Sequence, residues 1–128
     1  MTAPPLPLDG VTILAVEQYG AGPFGSALLG DLGAEVIKIE NPADGGDISR
    51  HVGPHFHGPG DSLFYQAFNR NKRSIGIDLK QPEGQAIFRS LVRHADAVYD
   101  NLRGDLPAKL GLDYPALGRA PPGRAMIS

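Results

Sequence analysis

The sequence has no cysteine and no tryptophan, and its charges nearly balance, with 12 lysine and arginine residues against 14 aspartate and glutamate residues. Without cysteine there is no disulfide framework, no thiolate nucleophile and no cysteine-based metal site. A net charge of −2 gives no general attraction for nucleic acid or for an anionic membrane surface. No run of eighteen apolar residues occurs, and the N-terminus lacks the basic and apolar segments of a signal peptide. We therefore predict a cytoplasmic protein with neither a nucleic-acid nor a membrane partner.

The 128 residues are 41% hydrophobic and 20% charged, which is typical of a single globular domain over 1–128. Glycine and proline concentrate in a few places, among them the N-terminus and residues 41–61. We predict an extended lead-in at 1–8 and a long loop at 41–61. Residues 125–128 resemble the opening of a strand, so we expect the chain to be the N-terminal part of a longer protein.

Residues 11–40 predict a βαβ unit. A β-branched apolar run at 11–16 favours a buried parallel strand, and Pro23 suits the first position of a helix that Gly33 ends. A second strand follows at 36–39. The helix is predicted to be apolar on one face, at Phe24, Ala27, Leu28 and Leu32.

Strands and helices continue to alternate along the chain. The predicted elements are a helix at 62–71, a strand at 74–79, a helix at 82–94, a strand at 96–100, a short helix at 106–110 and a last helix starting near 113. This alternation predicts an α/β fold with a Rossmann-like, doubly wound parallel sheet, here incomplete. Ligands of such sheets bind outside the carboxyl ends of the strands, which here are residues 17–22, 40–42, 78–80 and 100–103.

The turn after the first strand matches GxGxxG at Gly20, Gly22 and Gly25, and Glu40 follows about twenty residues on. One hypothesis is therefore an NAD-binding oxidoreductase domain. Pro23 weakens it, because proline removes an amide donor that a pyrophosphate would use. The alternative is that the glycines only permit a tight turn and close helix packing, and this is favoured for Gly25.

Residues 69–80 form the cationic stretch of the chain, with Arg70, Lys72, Arg73 and Lys80 against Asp78. A solvated helix end explains such a cluster, but the position of Lys80 at a strand's carboxyl end favours an anion site there. The histidines at 51, 55 and 57 lie on a glycine-proline loop without a fixed scaffold, so no metal site is predicted. No serine lies in a nucleophile-elbow context.

Three stretches together resemble the N-terminal region of the class III CoA-transferases, the family of formyl-CoA, carnitine-CoA and bile-acid CoA transferases and α-methylacyl-CoA racemase. They are LDGVTILAVEQYGAGPFGSALLGDLGAEVIKIENP, FNRNKRSIGIDLKQPEG and ADAVYDNLRGDLPAKLGLDY. The resemblance covers residues 8–114. Its most specific part is NRNKRSI-x-x-DLK-x-PEG, at residues 69–84.

The resemblance implies an enzyme that transfers CoA between an acyl-CoA and a carboxylic acid. CoA is then a substrate rather than a tightly bound cofactor, and the full-length protein is an interlocked homodimer. The family's nucleophilic aspartate lies beyond residue 128, so we assign no catalytic residue and expect the chain alone to be inactive. The alternatives within this interpretation are an acyl-CoA racemase and a truncated, non-catalytic product.

The resemblance also implies which residues contact CoA. They are Gly20, Ala21, Asn41, Ile77, Asp78, Leu79, Lys80, Asn101, Leu102, Arg103 and Lys109. The chemistry of CoA suits them, because cationic side chains can bind its phosphates and an apolar wall can hold its adenine. The sequence departs from some members at Asn41 and Lys109, where they have arginine, and at Leu102, where they have phenylalanine.

Overall fold

The central sheet of the computed structural model, which describes residues 3–117 and 125–128, has five parallel strands in the order β5-β2-β1-β6-β7. A small antiparallel pair, β3 and β4, lies in the connection between β2 and β5. The strands are β1 Thr12–Val16, β2 Glu35–Glu40, β3 Phe56–Gly58, β4 Asp61–Ser62, β5 Lys72–Gly76, β6 Ala97–Asp100 and β7 Ala125–Ile127.

Helices connect the strands of the large sheet. They are α1 Ala21–Asp31, α2 Leu63–Phe68, α3 Pro82–Val92, α4 Leu106–Lys109 and α5 Tyr114–Leu117, with 3-10 turns at Pro42–Asp44 and Ile48–His51. The chain builds outward from β1 to β2 and β5, then crosses back to place β6 on the other side of β1. The predicted α/β fold is confirmed, and the switch point of the sheet lies between β1 and β6.

Each face of the sheet has its own core. Alternate residues of β1 point to opposite faces, so Leu14 and Val16 pack with α3, whereas Ile13 and Ala15 pack on the α1 side. Phe88 of α3 is almost completely buried among the first group. Burying such a side chain contributes roughly 1.5–3 kcal/mol, so α3 is firmly held with its first turn at the carboxyl edge of the sheet.

The first helix differs from its prediction in the face that it buries. It begins at Ala21 rather than at Pro23, and its buried residues are Gly22, Pro23, Ser26, Ala27 and Gly30. Phe24, Leu28 and Leu32 remain 51%, 45% and 44% exposed. The small residues let the helix lie close to the sheet, since a Cβ at Gly25 would meet the Tyr99 hydroxyl at 2.5 Å.

The connection at 41–61 was predicted as a loop, but it contains both 3-10 turns and the β3-β4 pair. Side chains rather than an apolar core fix it: the Ser62 hydroxyl, for example, donates to the Ser49 carbonyl at 2.5 Å. In the N-terminal lead-in, the Leu8 amide donates to the Leu32 carbonyl at 2.9 Å.

Several predicted boundaries move. The helix predicted at 62–71 ends at Phe68, and the strand predicted at 74–79 is β5, which runs from Lys72 to Gly76. The strand predicted at 125–128 is present as β7. Among the described residues, no helix is both long and apolar enough to cross a bilayer.

Candidate functional site

The turn after β1 is held by side chains from two neighbouring loops. The Gln18 amide donates to Asn101 Oδ1 at 3.0 Å, and Asn101 Nδ2 donates back to the Gln18 carbonyl at 3.1 Å. The Tyr19 amide donates to Asp47 Oδ1 at 3.0 Å. Tyr19 has a φ of 72°, a left-handed conformation that costs a non-glycine residue roughly 1–2 kcal/mol. The site therefore begins with a strained turn whose amides are fixed at the switch point.

Two of the three glycines of GxGxxG, Gly22 and Gly25, permit close packing, whereas a Cβ at Gly20 would meet no atom of the described residues within 4 Å. A Cβ at Gly22 would lie 2.5 Å from the Asn101 side chain, just as one at Gly25 would meet Tyr99. Glu40, the acid that a dinucleotide would need, is only 7% exposed and its carboxylate is already bound by Arg50. These contacts disfavour the NAD hypothesis, because Gly22 and Gly25 are packed against side chains and the carboxylate of Glu40 is already bound.

A cavity of about 200 Å³ opens at the carboxyl edge of the sheet, on the α3 side. It is smaller than the roughly 300–1,000 Å³ of a site that encloses a drug-sized ligand, so it suits one end of a long molecule. Its floor is apolar and its rim is polar. The lining residues are Val16, Glu17, Gln18, Ile39, Asn41, Asp44, Ile77, Asp78, Leu79, Lys80, Leu102, Leu106 and Leu110.

The predicted contact residues divide into two groups. Those that line the cavity are Asn41, Ile77, Asp78, Leu79, Lys80 and Leu102. Those at the same edge but outside the lining are Gly20, Ala21, Asn101, Arg103 and Lys109. Lys109 pairs with Asp105 at 2.7 Å on the exposed surface of α4. The topology thus brings all four loops to one edge, and the cavity is lined by residues from each of them, including Glu17 and Gln18 after β1.

Asp78 and Asp100 shape two of these loops in the same way. Asp78 Oδ1 accepts the Lys80 amide at 3.0 Å, and Asp100 Oδ1 accepts the Leu102 amide at 3.1 Å. A side-chain oxygen that binds the amide two residues on makes a tight turn directly after a strand. Each aspartate therefore fixes the backbone of the residue two positions on, Lys80 or Leu102, where that residue lines the cavity.

The cationic stretch at 69–80 does not act as one patch. Arg70 pairs with Asp31, Lys72 with Glu17, Arg73 with Glu35 and Lys80 with Asp44. Only Lys80 among them lines the cavity. Lys72 is not solvated, since its side chain is 2% exposed. The local positive charge is thus divided among four carboxylates, which leaves Lys80 as the candidate anion ligand from this stretch.

Below the turn lies a buried ion network that the sequence did not reveal. Lys38 is fully buried on β2, and its Nζ lies 2.6 Å from Asp47 Oδ2 and 3.6 Å from Glu17 Oε1. Lys72 Nζ donates to Glu17 Oε1 at 2.7 Å and to the Pro23 carbonyl at 2.8 Å. Burial raises the pKa of Asp47, but hydrogen bonds from Lys38 and from backbone amides outweigh this and lower it. The network ties the turn and the start of α1 to the sheet.

A second buried carboxylate, Glu40, ends β2 beside this network. Arg50 Nε and Nη2 donate to it at 2.8 and 2.7 Å, and the Asp47 amide donates at 2.8 Å. The Ser74 hydroxyl also donates to this carboxylate, as does the Tyr65 hydroxyl at 3.4 Å. Burial raises the pKa of Glu40, but the hydrogen bonds from Arg50, Ser74 and Asp47 outweigh it and lower the pKa to about 2. Glu40 is thus an ionised anchor for the connection after β2.

Acid is expected to weaken the fold through Glu40. Its unfolded pKa is near 4.5, so the stabilisation is complete above that pH and is lost as the pH falls toward 2. We expect Glu40→Gln to remove about 2 kcal/mol of this acid-dependent stability, a value reduced from the full shift for residual solvent screening. Urea unfolding of the full-length protein at several pH values between 2 and 7 would measure it.

Glu35→Gln on the same strand is the control for this titration, because Glu35 pairs with Arg73 on the exposed surface. It should leave the pH dependence as in the wild type. A Glu40→Gln variant whose stability falls with acid as steeply as that of the wild type would contradict the assignment.

The sequence missed several residues of the site. Gln18 could have been found from its position after β1, but Asp44 and Asp47 lie in the connection predicted as a loop and carry no periodic signal. Among the residues described, no group of three or more acidic or histidine side chains is arranged to hold a metal ion. Each of the three histidines at 51, 55 and 57 is exposed.

A doubly wound parallel sheet with a largely apolar cavity at its switch edge defines the class of open α/β proteins, whose ligands bind at that edge. Comparison with known proteins specifies the family. The model of CoA-transferase family III matches residues 8–123, and the chain belongs to that family.

Relatives with established names support the same assignment. The chain is 48% identical over 116 residues to the succinate–glutarate CoA-transferase of Agrobacterium fabrum, covering 87% of this chain and 29% of the relative. It is 45% identical over 124 residues to the succinyl-CoA–D-citramalate CoA-transferase of Chloroflexus aurantiacus, covering 97% of this chain and 30% of the relative. The chain therefore spans about 30% of the length of these relatives.

A solved structure shows the same architecture. The CAIB/BAIF family protein from Brucella suis superposes with a TM-score of 0.86 at 37% identity, over 96% of this chain and 33% of that one. The resemblance inferred from the sequence motifs is confirmed, and the α/β arrangement is that of the family.

Proposed function

We propose that this chain supplies part of the CoA-binding site of an enzyme that transfers CoA from an acyl-CoA to a carboxylic acid. The observation that carries the proposal is the cavity at the switch edge. It combines an apolar floor, which includes Ile77 and Leu79, with the donors Asn41 and Lys80 at its rim. An aromatic base needs the first and a phosphate needs the second.

The two ends of CoA would lie on different parts of the edge. The cavity suits the adenine and its neighbouring phosphate. Gly20, which has no side chain, is the N-cap of α1, and nothing in the described part of the chain within 4 Å of its Cβ position would keep the pantetheine from its backbone. Arg103 is exposed on the loop after β6, where it could reach a second phosphate. Ala21, Asn101 and Lys109 remain predicted contacts at the same edge.

In the proposed reaction, the thioester bond of the acyl-CoA breaks and the donor leaves as its free carboxylate. The acceptor carboxylate loses one oxygen, which ends in the donor acid, as its own thioester forms. The resemblance implies that an aspartate beyond residue 128 first takes the acyl group as a mixed anhydride and then CoA as an enzyme thioester, so this chain contributes binding and orientation only. We propose dicarboxylic acids as the substrate class, because relatives are named for succinate, glutarate and citramalate. A homodimeric and cytoplasmic enzyme is part of the proposal.

Calorimetric titration of the full-length protein with CoA tests the site. We expect Lys80→Ala to weaken CoA binding about tenfold, because a charge-assisted hydrogen bond to phosphate is lost at a half-exposed position. Arg89→Ala is the matched control. Arg89 lies on the exposed surface near the far end of α3, away from the carboxyl edge, and its loss should leave affinity unchanged.

Equal CoA affinity in the wild type and in Lys80→Ala would remove Lys80 from the site. No CoA binding by the wild type would overturn the proposed function. Incubation with succinyl-CoA and a panel of dicarboxylic acids, followed by mass spectrometry of the CoA esters, would then identify donor and acceptor. In a separate incubation with an α-methylacyl-CoA, inversion at the α-carbon without exchange of CoA, detected by chiral chromatography, would indicate a racemase instead.

A further inference from the structure

Asp44 occupies the position in the cavity that an anionic ligand would take. Its Oδ2 accepts a hydrogen bond from Asn41 Nδ2 at 2.7 Å and lies 3.5 Å from Lys80 Nζ. One carboxylate oxygen thus meets both donors on which the proposed CoA site depends. Asp44 itself lines the cavity.

The orientation of Asn41 is fixed. Its Oδ1 accepts the Ala43 amide at 3.0 Å, which caps the short turn Pro42–Asp44 and directs Nδ2 toward Asp44. The Asp44 carboxylate is therefore held in place by the turn that carries it. A ligand phosphate that approaches Asn41 therefore finds its side-chain NH2 group already hydrogen-bonded to Asp44.

The charge balance at the rim makes this contact important. Among the described residues that line the cavity, Lys80 is the only cation. Its side chain is 65% exposed and that of Asp44 is 54% exposed, so the pair can separate without breaking the core. While the pair is closed, the positive charge available to a phosphate is neutralised.

We propose that Asp44 is an internal competitor for the phosphate of CoA, and that it weakens and thereby sets the affinity of the site. This inference rests on the proposed function, since it assumes that CoA phosphate binds at Lys80. When the nucleotide enters, the Asp44 carboxylate gives up Asn41 and Lys80 and rotates toward solvent. Its charge stays close to the phosphate and continues to oppose binding.

Asp44→Asn tests the inference, because it keeps the size of the side chain and removes the charge. In calorimetric titrations of the full-length protein, we expect the affinity for CoA to rise about three- to tenfold, the range for one charge near a solvated phosphate. The affinity for pantetheine, which has no phosphate, should not change. In a Lys80→Ala background the gain should be smaller but should not vanish, because Lys80 is no longer contested while Asn41 and the charge repulsion remain.

Asp61→Asn is the matched control. Asp61 belongs to the same connection, binds Gln66 Nε2 and does not line the cavity, so this change should leave both affinities as they are. If the wild type and Asp44→Asn bind CoA with equal affinity, Asp44 is not a competitor, and the proposed function still stands. A gain of equal size for pantetheine would also overturn the competitor role. Failure of both proteins to bind CoA would instead refute the proposed function.

Discussion

Replacing Lys38 with alanine is expected to lower the free energy of unfolding by about 3–5 kcal/mol, the cost of breaking a buried ion pair by removing one partner. Lys38 is completely buried and binds Asp47 at 2.6 Å, with Glu17 at 3.6 Å. Without it, Glu17 keeps Lys72 as a partner. The buried Asp47 keeps, of its hydrogen-bond donors in the described residues, only the backbone amides of Tyr19 and Ser49. Equilibrium urea unfolding of the full-length protein, followed by far-UV circular dichroism, measures the loss.

Lys109→Ala provides a control with the same chemical change. Its ion pair with Asp105 is exposed on both sides, so its loss should cost less than about 0.5 kcal/mol. The difference in free energy of unfolding between the wild type and Lys38→Ala should also become smaller as the pH falls. The depressed pKa of Asp47 stabilises the wild type above about pH 4, and protonation cancels that advantage as the pH falls. A Lys38→Ala variant as stable as Lys109→Ala would refute the role of the network.

The sheet and its carboxyl edge were predictable because their signals are local. Apolar β-branched runs at 11–16 and 36–39 indicate strands covered on both faces. Alternation with helices then makes the sheet parallel, and a parallel sheet has only one carboxyl edge. These two signals, the apolar runs and the alternation, were sufficient to predict that Lys80 and Asn101 follow strands at that edge.

The buried network was not predictable in the same way. Lys38 interrupts the apolar run of β2, and a single lysine there is compatible with a solvated edge. Its burial depends on Asp47, which the chain brings back through a connection with no periodic pattern. Sequence spacing does not reveal which side chain of that connection packs against Lys38, so the pairing of Lys38 with Asp47 could not be predicted.

The prediction of which face of α1 is buried was wrong for a related reason. Hydrophobic periodicity places the largest apolar residues toward the core, which selected Phe24 and Leu28. In the structure, close approach to the sheet outweighs that preference, and Ala27 is fully buried instead. Phe24 packs edge-on against Phe68 of α2, with ring centroids 6.3 Å apart, and both lie outside the sheet core. Glycines at helical spacing were the signal that could have indicated a closely packed helix.

The most specific motif of the chain, at residues 69–84, ends in a glycine, Gly84, whose position leaves no room for a side chain. It lies in the first turn of α3, where a Cβ atom would overlap the Asp78 carbonyl oxygen and come within 3.3 Å of Ile77 Cγ2. The obstruction is backbone, so a rotamer change cannot relieve it. Gly84→Ala is therefore expected to cost about 3 kcal/mol of unfolding free energy, the upper part of the usual range for overpacking.

The same substitution should also weaken the proposed CoA site. To accept the methyl group, α3 must move away from the loop at 77–80, which carries the proposed apolar wall and Lys80 into the cavity. We expect CoA affinity of the full-length protein to fall about tenfold, roughly as far as with Lys80→Ala, together with the loss of stability. Gly58→Ala, where a Cβ meets no atom within 4 Å, should change stability by less than about 1 kcal/mol and leave CoA binding intact. If Gly84→Ala proved as stable and as tight-binding as Gly58→Ala, close packing of α3 on Asp78 would not be what this glycine provides.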